Sequence, residues 1–442
     1  MANFSQTIIR LATAVIPLKS VRKRIRRRLL DRLRTAWIAR TVPQVRRRYV
    51  GIEQACRARL AAGKRLRVCF LVCDASMFSA EPIYQVMCRD ARFEPFVAVV
   101  PRVSRGEKFL RETLCKTMEQ LSARYPSVRC LYDPDTKVEQ SLDGQADVVF
   151  TSIVYDDQTS ERYTTLPLSR FALVACIPYG YGGQLLSDIR HTIFLPQFAF
   201  FWRLFVANPD TLDLWKRSNP LLEDNLVLGG YPKMDRLVEM PVRPNRPKTI
   251  LICPHHTLAR VEDGLALSNF LRYSDFFLAL PKEFPDVYFV FRPHPLLFPR
   301  LATSAWWGEQ RTDAYRKKME SLPNVEFQQG GDYFDSFANS DAMIHDCGSF
   351  LAEYFYTGRP QCYVLADETV IDREFTPFGK KLHRHVAHAF SEDDIRDFVR
   401  KVVDGSLVLE TASQEAFARG EVCIFHPHAA DRVINELTRI LS

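Results

Sequence analysis

The stretch 340–360 places small polar residues between an apolar run and a helical pattern. Residues 342–344 are typical of a strand buried on both faces, and residues 346–349 predict a tight turn after it. Backbone N–H groups at the start of the following helix would face an anion, and a diphosphate is the usual ligand there. Glu353, one turn into the helix, could reach a ribose hydroxyl. The alternative is an ordinary strand–helix unit in which Ser349 is the helix cap and Glu353 a surface charge.

Histidines follow two other apolar runs. Arg292 and His294 lie in an Arg-Pro-His-Pro loop after residues 287–291, and the two prolines fix the direction of both side chains. His255 and His256 follow another such run. Because ligands of parallel sheets bind outside the carboxyl ends of the strands, these loops are candidate phosphate contacts. Adjacent residues point in different directions, so at most one of the His255–His256 pair is expected to face the site. The alternative for each histidine is a structural role.

Motifs for a metal ion or another nucleotide-binding fold are not found in the sequence. The adjacent histidines lack further ligands at the regular spacing of a zinc site, and Asp133-Pro134-Asp135 is an isolated motif with a turn-forming proline. There is no Walker loop and no nucleophile elbow. The eleven cysteines are scattered, which favours reduced thiols in a cytosolic protein. We therefore expect no metal ion and no cofactor.

The turn at 346–349 resembles the donor-site motif of the CDP-glycerol glycerophosphotransferase family, which includes teichoic-acid polymerases and primases. Members carry a strand, an Asp, a short Ser-rich turn and a helix that ends before Lys-Pro or Arg-Pro. The turn is also similar to the Asp-Ser-Gly-Gly…Glu turn of nucleotide-sugar 2-epimerases, which share the GT-B architecture. The matching residues are Asp346, Gly348, Ser349, Glu353 and Pro360, and Cys347 stands where the family has serine or tyrosine.

The resemblance implies that Asp346, Gly348, Ser349 and Glu353 bind the donor nucleotide. A donor-phosphate contact from His255 or His256 is expected separately, from their position after a strand. The family has a His-Pro pair after the equivalent of residues 287–291. This assigns donor-phosphate stabilisation to His294, with Arg292 beside it.

The resemblance places the catalytic base in a His-Gly-Thr loop of the first domain. The equivalent loop here, residues 177–184, has the glycines and no histidine. Asp188 and His191 lie nearby in the sequence and are the candidates to replace that histidine, with Asp74 as a further alternative. The residues of this loop that are expected to hold a sugar or glycerol acceptor are Tyr179, Gly180 and Tyr181.

Strands alternate with helices along the chain, which predicts a parallel α/β sheet in each half. The runs that predict strands of the first half are 68–72, 93–100, 128–132, 146–153, 171–177, 203–207 and 225–228. Those of the second half are 249–253, 287–291, 325–327, 342–344 and 361–365. Three prolines in 241–247 indicate a linker. The prediction is an α/β, GT-B-like fold of two Rossmann-like domains facing a cleft. It assigns an arm to 1–60, an acceptor domain to 61–240 and a donor-nucleotide domain to 241–442.

Positive charge is concentrated at the start of the chain. Residues 1–60 hold sixteen Lys or Arg and two acidic residues, whereas the whole chain carries a net charge of +8. Residues 4–18 are apolar, but too few to span a bilayer, which needs about 20 residues. An apolar stripe then runs along one helical face, with arginines on the others: Val21, Ile25, Leu29, Leu33 and Trp37. This pattern favours a helix on an anionic membrane surface, with Trp37 at the interface. The alternatives are a helix packed on the protein itself, or one that binds nucleic acid, which would not use the stripe.

These features and the resemblance together predict a transferase. It would move glycerol phosphate, or another polyol phosphate, from a CDP-linked donor to a lipid-linked or cell-surface glycan acceptor. The setting would be teichoic-acid or capsule polysaccharide biosynthesis, with the protein peripheral on the cytoplasmic face of a bacterial cell membrane. We expect no nucleic acid partner and no metal requirement. The alternatives are a GT-B glycosyltransferase that uses a nucleotide sugar and a non-catalytic scaffold of a capsule assembly complex.

Overall fold

The computed structural model of the protein describes residues 19–258, 265–407 and 411–441, without the side chains of 19–24, 27, 31 and 411. Within these residues the chain forms two parallel sheets. The first sheet consists of β1 (Leu66–Val72), β2 (Phe93–Val99), β3 (Val128–Cys130), β4 (Val148–Thr151), β5 (Leu173–Cys176), β6 (Arg203–Val206) and β7 (Leu226–Leu228). Its spatial order is β3-β2-β1-β4-β5-β6-β7.

The second sheet has six strands. They are β8 (Thr249–Cys253), β9 (Tyr288–Phe291), β10 (Val325–Phe327), β11 (Ala342–His345), β12 (Gln361–Val364) and β13 (Ala387–Ala389). The spatial order is β10-β9-β8-β11-β12-β13, so the carboxyl ends of β9, β8 and β11 are neighbours. This order brings together the three loops that carry the candidate donor-site residues.

Helices connect the strands. In the first half these are α1 (Lys19–Ala61), α2 (Glu81–Cys88), α3 (Glu107–Ser122), α4 (Thr165–Leu168), α5 (Leu186–Arg190), α6 (Pro196–Phe200) and α7 (Pro209–Ser218). In the second half they are α8 (Phe270–Glu283), α9 (Leu297–Leu301), α10 (Gly308–Glu320), α11 (Phe334–Ala338), α12 (Gly348–Glu353), α13 (Thr369–Glu374), α14 (Pro377–His383), α15 (Glu392–Asp404), α16 (Thr411–Phe417) and α17 (Ala429–Leu441).

The two sheets confirm the predicted GT-B-like α/β fold, and each apolar run predicted as a strand forms one. Strands such as β4 and β8 are buried at every residue, which explains their unbroken apolar runs. The sequence does not predict β13, because Ala387–Ala389 contains a histidine and no apolar run. Helix α8 begins at Phe270, directly after Asn269, whose N–H is hydrogen bonded to the Asp346 carboxylate at 2.6 Å.

Helix α1 is not a free arm along its whole length. Its second half packs in the core of the first sheet through Ile38, Val42, Val45, Tyr49 and Cys56. Near its start, in contrast, the side chains of Leu29 and Leu33 are 37% and 50% exposed.

The predicted interfacial role of Trp37 is not supported, since its ring packs edge-on against Phe200 with centroids 5.4 Å apart. The apolar segment 4–18 and the side chain of Val21 lie outside the described residues. Within the part that the structure describes, no helix is both long and apolar enough to cross a membrane.

The last helix returns to the first sheet. Val433, Ile434 and Leu437 of α17 lie in the same core as the buried side chains of α1. The second half of the chain therefore contributes its last helix to the core of the first sheet.

Candidate functional site

Three histidine rings meet at the carboxyl ends of β8 and β9. The ring centroids of His255 and His256 are 4.4 Å apart, and those of His256 and His294 are 4.1 Å apart. The rings of His255 and His294 meet edge to face at 5.1 Å. The expectation that at most one of the adjacent pair would face the site is wrong, because the loop after β8 brings both rings against His294. We call these three residues the imidazole cluster.

Hydrogen bonds indicate which nitrogen carries the proton in two of these rings. Nδ1 of His294 accepts the backbone N–H of Leu296 at 3.1 Å. Nδ1 of His255 lies 2.9 Å from the Thr257 hydroxyl and 3.4 Å from the Thr257 nitrogen, whose N–H it accepts. A neutral imidazole whose Nδ1 accepts a hydrogen bond carries its proton on Nε2. His255 and His294 therefore have N–H donors at Nε2.

Both rings are held neutral. Burial lowers the pKa of His255 and His294 well below the ordinary value, and the neighbouring His256 lowers each pKa further. Protonation is disfavoured because these rings are removed from water and lie against each other. The cluster therefore offers neutral donors rather than permanent positive charges.

Two arginines supply positive charge next to the imidazole cluster. Arg300, on α9, donates from Nη1 to the backbone oxygen of His256 at 3.2 Å, and its charge lowers the pKa of His255 and His294. Arg105 lies in the first-domain loop before α3, and its charge also lowers the pKa of His294. Arg105 lies over the ring of Phe109 at 4.8 Å. The two domains therefore approach each other at this point.

An anion fits this arrangement better than a metal ion does. Among the described residues, the three imidazoles are a group whose potential ligand atoms all lie within 4.8 Å of one another. To bind a metal through Nε2, however, His255 and His294 would have to give up the tautomers that their Nδ1 bonds favour. The positive charges of Arg105 and Arg300 would also repel a cation. The Nε2 N–H groups of these rings, close to guanidinium groups, suit phosphate oxygens.

Arg292 does not face this site. It is buried, and its guanidinium donates to the Gln328 side chain at 2.8 Å and to the backbone oxygens of Gly330 and Gly331 at 2.9 and 2.6 Å. The predicted catalytic role of Arg292 is corrected on this ground, because its donors hold the loop after β10.

Asp346 is also occupied within the protein. Its carboxylate accepts the backbone N–H of His255 at 2.5 Å and that of Asn269 at 2.6 Å. Burial raises the pKa of Asp346 to about 7, and the backbone N–H groups act in the opposite direction. Asp346 therefore fixes the loop that carries His255, in place of the predicted contact with a nucleotide.

Glu353 is 1% exposed and lies at the junction of the two domains. Its Oε1 accepts from the Tyr181 nitrogen at 3.3 Å and from the Tyr231 hydroxyl at 3.2 Å, and its Oε2 accepts from the Tyr333 hydroxyl. Lys233, which is buried close by, donates to the Tyr179 backbone oxygen at 2.9 Å. The predicted ribose contact is not supported, because both carboxylate oxygens already accept hydrogen bonds from this cluster.

The glycine-rich loop lies against the start of α12. A Cβ added at Gly180 would lie 3.0 Å from the Ser349 hydroxyl oxygen, and one at Gly348 would lie 2.8 Å from the Leu185 side chain. Gly183 has a φ of +94°, and a Cβ there would overlap Thr211, so glycine is required at this position. The loop and the predicted diphosphate turn thus form one interface between the domains.

Within this loop, the two tyrosines have different environments. Tyr181 is buried, and its hydroxyl donates to the Val422 backbone oxygen at 3.0 Å, so a contact with an acceptor is not supported for it. Tyr179 is half-buried, and burial raises the pKa of its hydroxyl. Tyr179 and Gly180 remain the predicted acceptor residues.

The candidate bases come from two parts of the first domain, the loop after β1 and the helix α5 with its end. Asp188 accepts the Gly183 N–H at 2.8 Å, and burial raises its pKa to about 6. His191 is exposed at the end of α5. Asp74 accepts from Ser76 and pairs with Arg102 at 2.5 Å, so its carboxylate already has a cationic partner. Of the three candidates, Asp188 is the one with a hydrogen bond to the predicted acceptor loop, through the Gly183 N–H.

The sequence did not predict Arg105 and Arg300 as site residues. Arg105 is one of several basic residues in an exposed loop, and Arg300 follows a proline within a short helix. A signal was available for Arg300, because it lies six residues after His294 in the connection that leaves β9. No comparable signal exists for Arg105, which comes from the other domain.

Comparisons with known proteins support the fold. The chain matches no protein-family model and no curated protein sequence. A UDP-GlcNAc 2-epimerase from Neisseria meningitidis, solved with UDP-GlcNAc, is similar with a TM-score of 0.53 and 14% identity, covering 85% of this chain and 100% of that one. The epimerase of Methanocaldococcus jannaschii, in complex with UDP-GlcNAc and UDP, has a TM-score of 0.53 and 12% identity, covering 85% and 100%. The wall teichoic acid polymerase TagF, soaked with CDPG, has a TM-score of 0.51 and 13% identity, covering 85% and 88%. At such identities the likeness shows the GT-B fold.

Proposed function

We propose that this protein is a GT-B transferase that moves glycerol phosphate, or another polyol phosphate, from a CDP-linked donor to a lipid-linked or cell-surface glycan acceptor. The observation that carries this proposal is the imidazole cluster with Arg105 and Arg300. Neutral N–H donors and guanidinium groups converge at the carboxyl ends of β8 and β9, where parallel sheets bind their ligands. A diphosphate offers the acceptor oxygens that such a set of donors requires.

The chemistry would be an in-line displacement at phosphorus. The acceptor hydroxyl oxygen attacks the β-phosphorus of the donor, a new P–O bond forms, and the bond to the leaving CMP breaks. His255, His294, Arg105 and Arg300 would stabilise the charge that develops on the phosphate oxygens. The hydroxyl proton would pass to Asp188, for which a pKa of about 6 leaves a carboxylate at neutral pH.

The acceptor would bind on the first domain. Tyr179 and Gly180 lie in the loop that covers the start of α12, and Asp188 holds that loop through the Gly183 N–H. This arrangement supports an acceptor hydroxyl between the loop and the imidazole cluster. The lipid-linked nature of the acceptor is supported by the basic start of α1, which we propose to lie on the cytoplasmic face of a bacterial membrane.

A nucleotide sugar is the second candidate donor. It is favoured by the similarity of the fold to epimerases solved with UDP-GlcNAc. The imidazole cluster would hold its diphosphate in the same way, and the acceptor would then attack an anomeric carbon instead of phosphorus. The two candidate donors differ in their nucleobase and in the group attached to the diphosphate.

A donor panel separates these hypotheses. Isothermal titration of the full chain with CDP-glycerol, CDP-ribitol, UDP-GlcNAc and GDP-mannose should give tightest binding for a CDP-polyol. His294→Ala should weaken that binding by about 10- to 100-fold, because a hydrogen bond to a charged group contributes about 1.5–3 kcal/mol. His428→Ala is the matched control, since this side chain is 77% exposed and far along the chain. Tight binding that His294→Ala leaves unchanged would overturn the assignment of the site.

A further inference from the structure

A basic cavity lies on the first domain, away from the imidazole cluster. Its volume is about 380 Å³, within the range of small-molecule sites, about 300–1,000 Å³. The lining residues come from α1 and from the segments that enter β4 and β5: Arg48, Gly51, Ile52, Ala55, Cys56, Arg59, Asp147, Arg170 and Phe171. Because Asp147 and Phe171 precede their strands, the cavity is at the amino ends of the sheet, opposite the end that faces the cleft.

Positive charge is in excess in this cavity. Three guanidinium groups line it against one carboxylate, that of Asp147. Arg67 already pairs with that carboxylate, from Nη2 at 2.6 Å and from Nε at 3.1 Å. Arg59 is a further partner of Asp147 at 3.4 Å. The other nearby acid, Glu53, accepts from the Trp202 indole at 2.6 Å.

Arg48 and Arg170 are the cavity's available donors. Arg48 makes a hydrogen bond of 3.4 Å from Nε to the Gln44 backbone oxygen, which leaves its terminal nitrogens for a ligand. Arg170 is exposed, its backbone N–H donates to the Pro167 oxygen at 3.2 Å, and within the described ranges its guanidinium has no hydrogen bond or ion pair. Two guanidinium groups with free terminal nitrogens can bind a phosphate in bidentate fashion. Ile52 and Phe171 give the same cavity an apolar wall.

The cavity lies on the side of α1 that carries the exposed Leu33. At about 100° per residue, Leu33, Arg48 and Ala55 fall within a sector of roughly 60° around the helix axis. Leu33 is 50% exposed, and the helix continues from there to the cavity, with Pro43 inside it. A membrane that contacts α1 at Leu33 would therefore also face the cavity.

We propose that this cavity binds the phosphate of an anionic phospholipid head group. Arg48 and Arg170 would hold the phosphate, and the apolar wall would contact the glycerol carbons next to it. The site would fix how the protein sits on a membrane that α1 contacts. It depends on the proposed membrane contact of α1 but not on the proposed transfer reaction, whose donor binds at the imidazole cluster.

Charge-conserving variants test this proposal in the full chain. Vesicles of phosphatidylcholine with 20 mol% phosphatidylglycerol are titrated, and bound protein is measured by flotation. Arg48→Lys with Arg170→Lys keeps the charge but removes both guanidinium groups, so vesicle affinity should fall about tenfold. The matched control is Arg40→Lys with Arg47→Lys, two exposed arginines of the same helix, which should stay within about twofold of the native protein. Arg170→Lys alone gives the same test if the double variant does not fold.

The outcomes separate the sources of the phosphate. Equal vesicle affinity for both lysine pairs would show diffuse adsorption and overturn the proposal. A second outcome would also overturn the proposal. In it, soluble glycerol 3-phosphate or inorganic phosphate raises the melting temperature only when Arg48 and Arg170 are present, whereas vesicle affinity is the same with and without these two arginines. Titration of CDP-glycerol into the same variants should give the native affinity, which keeps this test independent of the donor site.

Discussion

Two buried carboxylates shape the candidate site without lining it. Asp346 holds the loop of His255, and Glu353 ties the Tyr181 loop to Tyr231 and Tyr333. Both follow β11 at the spacing that the donor-site motif has, yet each accepts hydrogen bonds from the protein. A carboxylate at this depth must be hydrogen bonded, so these residues contribute to positioning rather than to contact with a ligand.

Asp346 should make stability depend on pH. Burial raises its folded-state pKa to about 7, above the value of about 3.9 expected in the unfolded chain. The folded protein therefore holds a proton that the unfolded chain releases between about pH 4 and pH 7, so this contribution to stability decreases as pH rises through that window. The side chain of Asp346→Asn cannot titrate. Urea unfolding at pH 5, 6, 7 and 8 should therefore show that the free energy of unfolding of this variant decreases less with pH than that of the native protein.

Asp341→Asn is the control for that measurement. Although burial opposes it, the Arg246 side chain holds the pKa of Asp341 below its usual range. Asp341 is therefore charged in both states from pH 5 to pH 8, and its replacement should leave the slope unchanged in this window. If the free energies of unfolding of the native protein and of Asp346→Asn changed equally with pH, Asp346 would keep its charge throughout this range.

The sequence predicts the location of the site better than it predicts the role of each residue. The histidines at 255, 256 and 294 were predicted because they follow apolar runs, and strand order then brings their loops together. The roles of Arg292 and Glu353 could not be predicted, because their partners are backbone oxygens and tyrosine hydroxyls distant in sequence. A motif gives the spacing of side chains along the chain, whereas hydrogen-bond partners depend on the packing of both domains.

At the scale of elements, strands were predictable because their burial on both faces requires apolar residues throughout. The burial of helix α1 is harder to predict from its apolar pattern. Its arginines and its apolar stripe predict a surface helix, and a second set of apolar positions, Ile38, Val42, Val45 and Tyr49, falls on another face and is buried. The buried face follows the same helical spacing as the exposed stripe, so the sequence pattern indicates both faces without showing which of them is buried.

Arg236 joins elements of the two domains. It pairs with Glu81 of α2 at 3.0 Å and with Asp332 of the second domain at 2.7 Å, and the Glu81 side chain is 2% exposed. Arg236→Met should lower the free energy of unfolding by about 3 kcal/mol, because it leaves a buried carboxylate short of a partner. Urea unfolding measures this loss.

The double variant Arg236→Met with Glu81→Gln identifies the cause. It removes both charges, so it should lose less stability than Arg236→Met alone, with a coupling of roughly 0.5–3 kcal/mol. Glu81 also accepts from Arg124 and Tyr125, which the amide can still partly satisfy. The loss of stability of the double variant is compared with the summed losses of the single variants Arg236→Met and Glu81→Gln. If the two values were equal, the ion pair would have no role in joining the domains.

At the scale of the whole molecule, the two chain ends complete the first domain. The buried face of α1 and the apolar face of α17 share one core with the first sheet. A boundary after residue 60 therefore divides a packed helix from its core, and a boundary at 241 separates α17 from the sheet it covers. The described structure favours a division of α1 itself, between its exposed start and its buried second half.

Truncation tests this division of α1. Removing residues 1–33 deletes nine basic residues and one acidic residue, and none of the α1 side chains buried in the core. The shortened protein should melt within about 3 °C of the full chain, since surface changes rarely exceed about 0.5 kcal/mol. It should also bind anionic vesicles much more weakly, because each basic residue near such a surface contributes about 1 kcal/mol.

Removing residues 1–60 should have a different effect. It deletes Ile38, Val42, Val45 and Tyr49, which lie in the core. Each fully buried apolar side chain contributes about 1.5–3 kcal/mol, and the whole domain is expected to be stable by only about 5–15 kcal/mol. This variant should be insoluble or melt more than about 10 °C below the full chain. Scanning calorimetry of both truncations checks the difference. A 1–60 deletion that melts like the full chain would mean that α1 is an accessory arm throughout, and its core contacts would then contribute little to the fold.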